Sequence, residues 1–147
     1  PLQISWLDSM RARREVRDLL QRYELNDIDD TSELVAYVET ATGTPIRIKP
    51  LPSELPLQVT GLVRVTKADT AFIYLPRERG VYPAHCLHHE IGHLLMWHKA
   101  SLDGRDDPTP LLACSDDYVE HVVEVLAQHL SARLLRIRTP HIERILG

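Results

Sequence analysis

Residues 83–98, PAHCLHHEIGHLLMWH, limit the fold of this 147-residue chain more tightly than any other stretch. They contain His89-Glu90-Ile91-Gly92-His93, an H-E-x-x-H pattern. Residues four apart share one face of an α-helix, with Cβ atoms about 5–6 Å apart, so two imidazoles at this spacing can converge on one cation. That requires a helix here. It also requires a second element close by, because a catalytic zinc takes three protein ligands and keeps a fourth position open. Glu90 follows the first histidine, where the motif places a general base. Chance alone yields the pattern roughly 0.03 times in a chain of this length and His and Glu content.

The surrounding residues agree with a helix. Pro83 suits a first turn, where a missing N–H costs no intrahelical bond. Leu87, Ile91, Leu94, Leu95 and His98 recur at 3- and 4-residue steps and predict one mostly apolar face. His89 and His93 fall on a neighbouring face. Cys86, three residues before His89, is expected to be buried, the commoner fate of a free cysteine.

The third donor must come from elsewhere. His98 lacks the spacing of an extended histidine motif, because Lys99 occupies the position that would carry the ligand. A predicted long helix from Ser115 to about Arg138 offers better donors. Ser115 can cap it, with Asp116 and Asp117 complementing its positive N-terminus, and Thr139-Pro140 ends it. Val119, Val122, Val123, Leu126, Leu130 and Leu134 form its core side. Glu120, Val123, Glu124, Ala127, Ser131 and Leu134 follow at 3- or 4-residue steps. Two carboxylates on such a face are costly to bury unless paired or metal-bound. One of Glu120 and Glu124 can ligate zinc while the other orients a histidine ligand from behind. His121 and His129 point away.

The rest of the chain predicts an α+β fold with a small antiparallel three-stranded sheet packed against helices. A first helix spans residues near 5–25, with Val16, Leu19, Leu20 and Tyr23 inward, extended back by Leu7 and Met10. A second begins at Asp30, with Glu33 in a capping-box position, and stops at Gly43. Strands follow at 45–49, 58–66 (weakened by Gly61) and 71–75, and Pro50, Pro52 and Pro56 forbid a continuous central strand between the first two. Residues 99–115 read as a loop, either flanking a substrate cleft or serving as a surface connection. The length fits one domain over 1–147, divided into an N-terminal helix (1–29), a core (30–138) and a tail (139–147).

A formal net charge of −4 argues against direct nucleic-acid binding. The arginine-rich run at 11–22 is interrupted by Glu15 and Asp18 and reads as a solvated helix face. Two cysteines make no disulfide framework. No apolar run reaches the ~18 residues of a membrane span, and no signal-peptide pattern opens the chain, so a cytoplasmic location is expected. The first residue is Pro1 rather than Met, which implies a trimmed N-terminus.

Three features together resemble the ImmA/IrrE family of bacterial zinc metallopeptidases. The strand 71–75 ends just before the motif helix. The motif reads H-H-E-I-G-H-L-L, close to the family's H-E-L/I-G-H-x-L-L. The later helix carries Glu124, Ala127, Leu130, Ser131, Leu134 and Leu135 in the family's E-x-x-A-x-x-F/L-A/S-x-x-L-L spacing. Ser131 replaces the usual Ala, and the proline that often follows Leu-Leu is absent. The resemblance covers roughly residues 30–136. It implies a zincin-like core, Zn2+ held by His89, His93 and Glu124 (with Glu120 as the alternative), and Glu90 as general base. It further implies a cytoplasmic endopeptidase acting on a protein partner, characteristically a helix-turn-helix repressor of mobile-element or stress-response genes. His85, His88 and Tyr118 are candidates for stabilising the oxyanion. The competing expectation is a non-catalytic, metal-stabilised module that senses or sequesters a partner. A hydrolase acting on a non-peptide bond is a weaker third. Retention of Glu90 favours the peptidase, because a structural zinc needs no base.

Overall fold

The computed structural model describes residues 5–56, 58–113 and 116–138, with side chains to 135. Helix α1 (Trp6–Arg22) begins where Ser5 Oγ accepts from Asp8 N at 3.1 Å. Its buried face is Ala12, Val16, Leu19 and Leu20, followed by Tyr23. Leu7 and Met10, expected to extend that face, are exposed beside Trp6; the core begins only at Ala12. Helix α2 (Thr31–Thr42) starts as the sequence implied. Asp30 Oδ1 accepts from Glu33 N at 2.8 Å, and Glu33 Oε2 accepts from Asp29 N at 3.3 Å. This is a capping box whose return arm lands one residue early. Gly43, at φ 68°, ends it, in the left-handed conformation that glycine adopts without strain.

Strands β1 (Ile46–Pro50), β2 (Leu62–Val65) and β3 (Ala71–Leu75) form one sheet in the order β1-β3-β2. The sheet is mixed, which corrects the antiparallel expectation: β1 runs parallel to β3, from Ile46↔Ala71 to Pro50↔Leu75, and only β2 is antiparallel to it. The proline-bearing stretch 51–61 is too long and too interrupted for a tight hairpin. It carries the chain past the position that β3 then fills. The most apolar strand thereby takes the middle, with Ala71, Ile73 and Leu75 buried, whereas β1 is exposed beyond Ile46. Strand β2 is shorter than expected and lies at the sheet edge.

Helix α3 (Val81–Leu102) carries the motif through the centre of the molecule. Every residue from Cys86 to Met96 is buried except His89. It has a nearly continuous enclosure rather than one apolar stripe, because the sheet, α2, residues 109–112 and the last helix each take a side. It also runs through residues 99–102, which the sequence predicts as loop. Lys99 Nζ holds that last turn to α1 through Glu15 (3.0 Å) and Asp18 (2.7 Å), and Tyr23 Oη contacts His98 Nδ1 at 2.7 Å.

A short 3-10 turn at Thr109–Leu112 precedes helix α4 (Asp117–Arg138). Asp116 Oδ1 accepts from Tyr118 N (2.8 Å) and Val119 N (3.2 Å) and so caps α4; Ser115 lies outside the described residues, as do Thr139 and Pro140. All six residues expected on the core side of α4 are buried. Arg133 donates to the carbonyls of Leu25, Asn26 and Ile28, tying α4 to the α1–α2 connection. Helix α1 therefore belongs to the same core cluster as the elements after residue 30.

Candidate metal centre

Helices α3 and α4 approach closely because Gly92 has no side chain. A Cβ built there would stand 3.1 Å from Val123 Cβ. With Val123 against the middle of the motif, Glu120 lies one turn earlier on α4, facing the two histidines. Its Oε1 is 2.9 Å from His89 Nε2 and its Oε2 is 3.3 Å from His93 Nε2. One donor atom from each of His89, His93 and Glu120 lies within 4.8 Å of the others. His93 is fully buried, and the His89 side chain is 12% exposed.

Glu124, the carboxylate favoured for this position, sits elsewhere. Its Oε2 is 2.8 Å from His89 Nδ1, behind the ring, and its Oε1 is 2.9 Å from His85 Nε2. The contact with His89, then that with His85, hold its carboxyl below the usual range against the opposing effect of burial. The resemblance pointed to Glu124 through spacing along one helix. Spacing alone does not say which of two carboxylates a turn apart meets the front of the rings.

The back contacts test whether a metal fits. His93 Nδ1 is 2.7 Å from the Leu111 carbonyl, which can only accept. Glu124, ionised, can only accept from His89 Nδ1. Each neutral ring therefore carries its hydrogen on Nδ1 and turns the Nε2 lone pair towards the Glu120 carboxylate. Such converging electron pairs call for a cation or an added proton between them, and a charged imidazole is costly at a buried position. The His-His-Glu group can hold a metal ion, and its donors are those of open zinc sites.

No family model, curated protein or solved structure matches the chain. The resemblance to ImmA/IrrE peptidases accordingly rests on the sequence motifs alone.

Glu90 lies beside the donor group and is only 4% exposed. Burial raises its pKa, partly offset by His93 and His89, while Glu120 adds to the rise. Its carboxylate packs on Gly61, where a built Cβ would stand 2.9 Å from Oε2. In the sequence Gly61 stands only as a weak point in a strand. An isolated glycine in a strand pattern can also mark a close approach, and here the approaching group is Glu90.

A cleft of about 580 Å3 opens beside these residues. Residues 58–63 form one wall, and Leu112 and Ala113 another. Part of the 99–115 segment thus flanks the cleft, and its Leu111 carbonyl braces His93. Cys86 is buried in the wall as expected, its thiol pushed up by burial. Of the three oxyanion candidates, only His85 borders the cleft. His88 is fully buried between Thr31 and Ser131, not at the surface, and burial lowers its pKa to about 4. Tyr118 lies under the Arg11 guanidinium, 5.2 Å from it. His129 contacts Asn26 at 3.3 Å. No described helix is long and apolar enough to cross a membrane.

Proposed function

We propose that this chain is a zinc-dependent endopeptidase of the ImmA/IrrE type, with the metal held by His89, His93 and Glu120 and with Glu90 as the base. The observation that carries the reading is the pairing of a three-donor group with a separate buried carboxylate beside it. A structural metal site has no use for that carboxylate and usually closes with a fourth protein ligand. When bound, zinc supplies Lewis acidity towards a carbonyl and acidifies water. Glu90 takes the proton from the attacking water and returns it to the departing amine. Burial, by raising its pKa, makes the carboxylate a better base than an exposed one. Leu111 and Glu124 keep the two rings oriented, so neither has to be reorganised as the substrate enters.

A peptide substrate suits the cleft. Residues 58–61 lead into β2, an edge strand, and residues 58–63 wall the cleft. An extended chain can add to such an edge through main-chain hydrogen bonds. The resemblance supplies the partner class, a helix-turn-helix repressor. The test pairs two variants against a helix-turn-helix repressor that the wild-type protein cleaves. Glu90→Gln should keep wild-type zinc content and lose cleavage by at least about 100-fold, and His93→Ala should lose both. Wild-type cleavage by Glu90→Gln would rule out this mechanism.

A further inference from the structure

Behind the candidate centre, polar contacts continue in an unbroken series. Thr31 Oγ1 is 3.0 Å from His88 Nε2, and His88 Nδ1 is 2.8 Å from Ser131 Oγ. Ser131 Oγ is 2.9 Å from His85 Nδ1, and His85 Nε2 is 2.9 Å from Glu124 Oε1. Glu124 Oε2 then reaches His89 Nδ1 at 2.8 Å. The series begins on α2, passes between α3 and α4, and ends at a histidine of the donor group.

Counting protons gives each bond a direction. An ionised carboxylate only accepts, so His85 Nε2 and His89 Nδ1 both carry hydrogen. A neutral His85 then has its lone pair on Nδ1 and accepts from the Ser131 hydroxyl. That hydroxyl has one proton, already used, so Ser131 accepts from His88 Nδ1–H. His88 is left with a lone pair on Nε2 and accepts from the Thr31 hydroxyl. With neutral rings, this single arrangement satisfies all five contacts, and every donor in it points towards Glu124.

Glu124 needs such an anchor. Its side chain is 36% exposed, and a free glutamate there would lose contact with His89 by simple rotamer exchange. We infer that Thr31, His88, Ser131 and His85 form a directional hydrogen-bonded chain that locks Glu124 and so holds His89 in the Nδ1–H tautomer, with Nε2 presented to a metal. The four are positioning residues; none belongs to the three-donor group. The effect on metal affinity rests on the reading of His89 as a ligand, whereas the tautomer order is a property of the metal-free protein.

The two parts can be separated by experiment. Long-range 15N–1H correlation spectra of the metal-free protein at pH 8 should show His85 protonated at Nε2 and His88 and His89 at Nδ1. Ser131→Ala should mix the tautomers of His85 and His88 and weaken zinc binding about 10-fold in chelator competition. Ser131→Thr, which keeps the hydroxyl, should restore both. Thr31→Val acts from the far end, shifting His88 away from Nδ1–H, and carries the test if Ser131→Ala does not fold. A wild-type His89 with mixed tautomers would overturn the chain. So would a folded Ser131→Ala, or Thr31→Val in its place, with unchanged spectra and zinc affinity. Ordered wild-type tautomers without any zinc binding would leave the chain standing and overturn the metal reading instead.

Discussion

One helical turn separates two carboxylates with different surroundings. Glu120 faces the Nε2 atoms of both histidines, while Glu124 stands behind His89. If Glu120 is the third ligand, Glu120→Gln removes a charged donor and should reduce zinc affinity by well over 100-fold. Glu124→Gln removes only an orienting acceptor, and outer partners of this kind typically contribute 10–100-fold. Competition against a calibrated chelator checks the order, and the reverse order would return the ligand role to Glu124. Gly61 poses a different question, because nothing but its missing side chain makes room for Glu90. In Gly61→Ala the flexible end of Glu90 is what yields. If Glu90 is the base of a peptidase, zinc content and thermal midpoint should change little while kcat falls by roughly 10- to 100-fold, as expected when a reacting group is displaced by about 1 Å. Steady-state kinetics beside metal analysis distinguishes this from simple unfolding.

At the scale of elements, the centre depends on how closely α4 lies against α3, and Gly92 sets that distance. Alanine there gains about 1 kcal/mol of helix propensity. It also meets Val123 Cβ at 3.1 Å and Val123 Cγ1 at 3.3 Å. The Cβ position is fixed by the backbone, so no rotamer change relieves that contact, and overpacking of this kind costs about 1–3 kcal/mol. Gly92→Ala should therefore be destabilised by about 1 kcal/mol and bind zinc more weakly, since Glu120 moves with α4. Val123→Ala, which removes Cγ1 and keeps Cβ, should rescue the part of both losses that Cγ1 causes, giving a coupling of about 1 kcal/mol in a double-mutant cycle. Purely additive effects in urea titrations would reject the close-approach argument. This distance was not legible in the sequence. The helices themselves were, because Asp30, Gly43 and the apolar spacings of α1 and α4 encode local structure directly. The parallel pairing of β1 with β3, the last turn of α3 and the choice between Glu120 and Glu124 were not. Each depends on which surfaces meet: β3 slots between strands distant in sequence, Lys99 finds two acids on α1, and Glu120 is selected by where Val123 lands.

Across the whole molecule, α3 is the common partner of the sheet, α2 and α4, while α1 packs on α4, and the centre joins α3 to α4 at the edge of the core. With both rings neutral, the lone pairs of His89 and His93 face the Glu120 carboxylate at 2.9 and 3.3 Å, an arrangement that opposes the helix contact around it. A bound cation converts that opposition into a link between the two helices, so metal binding and folding should be coupled. Binding to the folded state alone stabilises by about 4 kcal/mol when free metal is 1,000 times its Kd. For a chain near this size each kcal/mol moves the midpoint by about 2–4 °C. Stripping zinc with a chelator should then lower Tm by about 10 °C, reversibly on adding zinc back. Glu90→Gln should show the same shift as wild type, because Glu90 is beside the donors and not among them. His93→Ala should show almost none, and its Tm should be insensitive to chelator. Calorimetry of the three proteins with and without zinc makes the comparison. A wild-type Tm indifferent to chelator, in protein shown to contain zinc beforehand, would mean that the metal does not join the two helices.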